Sequence, residues 1–186
     1  MHLTQILSPD LPQQDLIATH PNWTRADFNR AVFRLSGRLK MANVQTAALW
    51  FDDAALFACA VLAVWHSGGK VLLLPNLAQD NVAWGKTAEA FLTDSTDKKL
   101  SSDGLNIWHL PDVLAKTDLE GLNTYPENYL IPDHAEAWLK TSGSSGEAQI
   151  IVKTAAQMQA EALTLANTLP FGQHGETVVG SVIPQH

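Results

Sequence analysis

Apolar residues recur at helical spacing near both ends of the chain and gather into short unbroken runs between them, a pattern that predicts helices alternating with buried strands. Residues 1–22 carry three prolines and no period, and read as an extended lead-in. Regular structure is expected from Thr24, which with Asp27 forms a capping-box pattern. Phe28, Ala31, Val32, Leu35 and Leu39 then fall on one helical face. Arg25, Arg30, Arg34 and Arg38 lie off that stripe and read as a solvated face.

A buried strand is predicted over Thr46–Phe51, and Asp52 and Asp53 offer an N-cap to a helix over Ala54–His66. Gly68 supplies its stop, and Val71–Leu74, closed by Pro75, reads as a second buried strand. A helix over Gln79–Ala90 and short strands at Phe91–Thr93 and Ile107–Leu110 follow, with a surface turn over Asp94–Asp103. Pro111–His134 holds three prolines and no sustained period, and is expected as a long irregular connection. Strands are expected again at Ala137–Lys140 and Ile150–Val152. A second capping-box pattern, Thr154 with Gln157, opens a helix whose Met158, Ala162, Leu165 and Leu169 are expected to face the core. Val178–Val182 begins a further strand.

Candidate chemistry is concentrated in Thr141-Ser142-Gly143-Ser144-Ser145-Gly146, between the strands at 137–140 and 150–152. Gly143 and Gly146 let the backbone approach a ligand closely, and the hydroxyls of Thr141, Ser142, Ser144 and Ser145 add donors for an anion. A hydrogen bond to a charged acceptor contributes about 1.5–3 kcal/mol, so one phosphate group can use several. A flexible Gly/Ser linker is the competing reading, but linkers separate weakly structured polar segments and this run has apolar flanks. Three familiar loops do not fit. Glu147 follows Gly146 where a Walker loop needs lysine; the glycine spacing gives only half of a dinucleotide fingerprint; and the glycines are too close for a nucleophile elbow.

The run resembles the phosphate-binding signature of the adenylate-forming ligases, the family of acyl-CoA synthetases, luciferases and peptide-synthetase adenylation domains, which reads Thr-Ser-Gly-Ser/Thr-Ser/Thr-Gly-x-Pro-Lys-Gly-Val. Residues 141–146 match position by position, and Ile151 stands at the final aliphatic place. Ala148, Gln149 and Ile150 replace proline, lysine and glycine, so the family's cation is absent from its usual position and Lys153 is the nearest substitute downstream. Trp23-Thr24-Arg25-Ala26-Asp27-Phe28 is similar to the family's Leu-Thr-Tyr-x-Glu-Leu helix start. Phe57 through Gly68-Gly69 to Leu74-Pro75 resembles its helix, turn and proline-closed strand, and Pro184-Gln185-His186 its Pro-x-His segment.

The resemblance spans essentially the whole chain but less than half of the family's length. It implies an α/β fold, a mostly parallel sheet with crossover helices on both faces, with 23–186 forming a truncated N-terminal part of the AMP-binding large domain. It also implies ATP, Mg²⁺ and a CoA or pantetheine thiol as cofactor and co-substrate, with a small carboxylic acid, and an acyl carrier protein as a further partner. Thr141, Ser142, Gly143, Ser144, Ser145 and Gly146 are then expected at the β- and γ-phosphates, with Lys153 and His186 beside the nucleotide. The family's ribose-binding acid, hinge and C-terminal lysine domain fall outside the sequence, so the 186 residues alone are expected to be inactive and to self-associate through an open sheet edge. A non-catalytic nucleotide-binding or scaffold domain of the same fold is the alternative, motivated by Ala148, Gln149 and Ile150. A generic phosphate-binding fold is another.

Composition narrows the picture further. With 46% hydrophobic residues the chain can bury a substantial core, and its formal charge of −7 with no Lys/Arg cluster argues against nucleic acid as a partner. Cys59, the single cysteine, lies in an apolar run and reads as a packed thiol. Seven histidines show no pair at the spacing of a helical metal site, and no catalytic residue is assigned within the chain. The absence of a signal pattern and of a membrane-length apolar run suggests a cytoplasmic protein.

Overall fold

A computed structural model describes residues 2–97, 100, 104–115, 126–141 and 148–168. Within the stretch read as a lead-in, Leu3–Gln5 makes a 3-10 turn, and β1 (Leu16–Thr19) pairs antiparallel with β2 (Asn22–Thr24). The N-terminal segment is packed down, with Leu7 fully buried. Its turn is tied to the later chain by Leu3 N donating to Gln159 Oε1 and Ile131 N donating to the Thr4 carbonyl.

Helix α1 (Arg25–Met41) starts where its capping box dictates. Thr24 N and Oγ1 donate to Asp27 Oδ2 at 3.1 and 2.6 Å, and Asp27 N donates back to Thr24 Oγ1 at 3.3 Å. The Thr24 hydroxyl is the main reason the Asp27 carboxyl lies below its ordinary range. The basic residues of α1 are less free than a solvated face implies. Arg25 is mostly covered and faces Asp15, and Arg38 donates to the Val113 carbonyl.

The body is a six-stranded sheet in the order β6-β5-β3-β4-β7-β8. β3 (Thr46–Trp50) is central, flanked by β4 (Lys70–Leu73) and β5 (Ala90–Thr93); β6 (Ile107–His109) extends the β5 side and β7 (Glu136–Lys140) the β4 side, all parallel. β8 (Ile150–Thr154) returns antiparallel along β7. Parallel strands covered on both faces explain the unbroken apolar runs. Ala47, Leu49, Val71, Leu92 and Ala137 join the cluster built with α1 and α2 (Ala54–Ser67), whereas Ala48, Leu72 and Phe91 join the one built with Val82 of α3 (Gln79–Gly85).

α2 is bounded as its sequence requires. Asp53 Oδ1 accepts from Leu56 N at 2.8 Å, and Gly68 ends the helix at φ 91°, a left-handed conformation that suits glycine. α3 ends at Gly85, short of the predicted Ala90. A Cβ on Gly85 would lie 3.0 Å from the Phe91 ring, so this position closes the helix onto the sheet, and Glu89 N already donates to the Thr46 carbonyl to start β5.

Two further expectations are corrected. The connection expected from Pro111 opens instead with α4 (Leu110–Ala115), in whose first turn proline is well tolerated because its missing N–H has no helical partner there. α5 (Ala155–Thr168) begins at its predicted cap, with Thr154 N donating to Gln157 Oε1 at 2.9 Å and Gln157 N to Thr154 Oγ1 at 3.2 Å. Its apolar stripe does not stay in the core, however. Ala155 is buried and Met158 packs on the first cluster, but Ala162 is exposed and Leu165 is 58% exposed, because the described body reaches only the first turns of the helix. The strand expected at Val178–Val182, together with Leu169, lies outside the described residues.

Candidate phosphate-binding hairpin

β7 and β8 form a hairpin whose register brings Lys140 opposite Ile150, Leu139 opposite Ile151 and Ala137 opposite Lys153. One residue further out, Thr141 and Gln149 close the neck of the connection. Thr141 N donates to the Gln149 carbonyl at 2.9 Å, Gln149 N donates to Thr141 Oγ1 at 3.0 Å, and Thr141 Oγ1 lies 3.3 Å from the same carbonyl. The hydroxyl of the first loop residue is thus spent on the neck. Ser142, Gly143, Ser144, Ser145 and Gly146 lie outside the described residues, as does His186. What the structure fixes is that the run between them leaves from the carboxyl end of a parallel strand and returns eight residues later to the same point. In open α/β sheets that end carries the ligand crevice.

The surroundings of this end are set by carboxylates and amides already committed to one another. Asp94 Oδ1 and Oδ2 accept from the Asp52 and Asp53 amides at 2.9 and 2.8 Å, so the N-terminus of α2 is filled by an internal carboxylate. His109 Nδ1 lies 2.9 Å from Asp112 Oδ2, and its Nε2 lies 3.0 Å from the Asp94 carbonyl, tying β6 to β5. After β4, Asn76 Oδ1 accepts from Ala78 N and Asn81 Nδ2, shaping the entry to α3. Lys140 Nζ lies 3.3 Å from the Asp80 carbonyl in the first turn of that helix.

Lys153 is placed elsewhere. It stands four residues along β8 from Gln149, roughly 13 Å at ~3.3 Å per residue, and both carboxylate oxygens of Glu161 accept from its Nζ at 2.6 and 2.7 Å. Lys70 sits at the opposite end of the sheet, 4.1 Å over the Trp138 ring. Cys59 is fully buried, and burial pushes its thiol pKa up, which keeps it protonated and unreactive. Among the described residues no group of three or more His, Cys, Asp or Glu side chains is arranged to hold a metal ion. None of their helices is long and apolar enough to cross a membrane.

No family model and no curated protein matches the chain. Solved structures do. The chain superposes on o-succinylbenzoate CoA synthetase (MenE) from Bacillus subtilis in complex with ATP and magnesium ion, with a TM-score of 0.70, 20% identity, and coverage of 91% of this chain and 37% of that one. Against the same enzyme in complex with the acyl-adenylate intermediate OSB-AMP the TM-score is 0.67 at 20% identity, covering 91% and 36%. The N-terminal subdomain of NpsA from Klebsiella oxytoca aligns with a TM-score of 0.55 at 12% identity, covering 72% and 36%. The chain therefore spans just over a third of the length of these proteins. At these identities the likeness shows the fold alone, a mostly parallel α/β architecture that this chain shares with the N-terminal portion of those structures.

Proposed function

We propose that residues 23–186 are part of the AMP-binding domain of an ATP-dependent acid–thiol ligase, and that they supply its grip on the nucleotide phosphates. The observation that supports this reading is the closed Thr141–Gln149 neck at the carboxyl end of β7, between whose two sides the sequence carries the run Thr141, Ser142, Gly143, Ser144, Ser145 and Gly146. In the reaction a substrate carboxylate attacks the α-phosphorus of ATP, forming an acyl-adenylate and releasing pyrophosphate. A thiol, from CoA or from the pantetheine of a carrier protein, then takes the acyl group and releases AMP.

The part of this chain in that chemistry is to bind and orient. Backbone amides and hydroxyls along 142–146 hold the β- and γ-phosphates, which lowers the cost of the charge that builds on departing pyrophosphate. Mg²⁺, bound together with the nucleotide, would neutralise phosphate charge. His186 is read as a residue of the acyl and nucleotide pockets from its likeness to the family's Pro-x-His segment. A carboxylic acid, ATP and the thiol are the partners, and the cytoplasm is the setting. The test is ATP-dependent trapping of activated acids with hydroxylamine by the full-length gene product. Hydroxamate formation with at least one aliphatic or aromatic acid is expected, and its absence across the panel would contradict the reading.

A second reading is a non-catalytic relative that binds nucleotide without activating an acid. It is favoured by Gln149 standing where the family has lysine, and by Lys153 being held by Glu161. ATP binding without hydroxamate formation separates the two.

A further inference from the structure

We infer that the N-terminal turn, residues 2–4, is a conformational clasp: it joins the chain entering the β7–β8 hairpin to the helix leaving it, and β8 and α5 come loose together when it opens. On the entry side, Ile131 N, just before β7, donates to the Thr4 carbonyl at 3.0 Å. On the exit side, Gln159 of α5 is held twice. Its Oε1 accepts from Leu3 N at 2.5 Å, and its Nε2 lies 2.6 Å from His2 Nδ1. Because Oε1 faces the backbone donor, the amide nitrogen is the donor toward the imidazole. The two sides also meet directly, with Ala155 N donating to the Ala135 carbonyl at 2.8 Å and Ala156 N to the Asp133 carbonyl at 3.0 Å. The turn itself is anchored, since Leu3 and Ile6 pack on the first apolar cluster and Leu7 is fully buried.

α5 has few other attachments among the described residues. Ala155 is buried and Met158 packs on the cluster, but residues 160–168 are exposed throughout, Leu163 and Leu165 included. The Lys153–Glu161 pair is open to water, where such pairs contribute little. A helix of 14 residues is marginal in water without tertiary contacts. β8 is no better placed: β7 is its neighbour among the described strands, and Ile150, Ile151 and Val152 are nearly half exposed. It is therefore held mainly at its ends, by the Thr141–Gln149 neck at one and, through α5, by the clasp at the other. Among the described residues the polar contacts between the turn and α5 all pass through Gln159, so the second hold depends on that side chain.

Amide hydrogen exchange of the 186-residue chain, read by mass spectrometry, tests the clasp. Gln159→Ala preserves helix propensity and removes both bonds; the amides of β8 and α5 are expected to exchange about tenfold faster, with β3, α2 and β4 unchanged. Gln159→Glu keeps the acceptor for Leu3 N and is expected to retain most of the protection. Leu3→Pro removes the donor from the other side, and the turn accommodates it because His2 is already extended at ψ 137°. It is expected to speed the same amides, and its effect combined with Gln159→Ala to fall short of the product of the two, since both break one bond. Gln159→Ala that leaves β8 or α5 unchanged, exchange that rises equally across the whole sheet, or effects of the two variants that simply multiply would each overturn the clasp.

Discussion

His66 shows how a single residue ties distant parts of this fold together. On α2, its Nδ1 lies 2.8 Å from Ser36 Oγ of α1 and its Nε2 2.8 Å from the Asn128 carbonyl, while the Phe33 ring packs edge-on at 5.1 Å. Burial is the main reason its pKa is lowered from 6.5; the Asn128 carbonyl opposes the shift and Lys40 adds to it. The neutral ring is therefore favoured in the folded state. Above pH 6.5 neither state carries the proton, and its contribution to stability is intact. As pH falls below 6.5 the unfolded chain takes up the proton first, and stability is lost until the lower folded value is passed. The urea midpoint is expected to fall between pH 7.5 and 5.5, and His66→Gln to flatten that slope. Equal slopes for the two proteins would contradict the burial argument. Residues whose partners are local were legible in the sequence: Thr24, Asp53 and Gly68 act within four residues. His66 and Lys140 were not, because their partners lie 30, 62 and 60 residues away.

At the scale of elements, periodicity located β3, α2, β4 and the β7–β8 pair, but it could not say how much of an apolar face is covered. β8 and α5 show the difference. Ile150, Ile151 and Val152 have the composition of a buried strand, yet are 46, 45 and 44% exposed, and among the described residues no strand lies beyond β8. Three adjacent β-branched residues on an edge that no described strand covers favour pairing with another strand. The 186-residue chain is expected to self-associate through this edge, as read by light scattering at rising concentration. Val152→Lys, which places a charge at mid-strand, should return it to a monomer. A wild-type chain that stays strictly monomeric at high concentration would contradict the expectation. Proline chemistry misled in the other direction: Pro111 reads as a breaker, but in the first turn of α4 it removes no helical hydrogen bond.

For the molecule as a whole, the unbroken apolar run within single strands was the informative signal. Ala47 and Leu49 turn to one cluster, Ala48 and Trp50 to the other, which is what a parallel sheet between two helical layers demands. Strand order was not legible, because β3 pairs with both β4 and β5 through crossovers that no local pattern encodes. The candidate loop is a sequence motif whose residues 142–146 lie outside the described residues; the structure adds the closed Thr141–Gln149 neck, which no local pattern announced. The central claim is adenylation, and carboxylate-dependent ATP–pyrophosphate exchange by the gene product tests it most directly. Exchange that depends on an added aliphatic or aromatic acid is the predicted result. ATP binding with no exchange for any acid would contradict it and identify a relative that has kept the fold without the reaction.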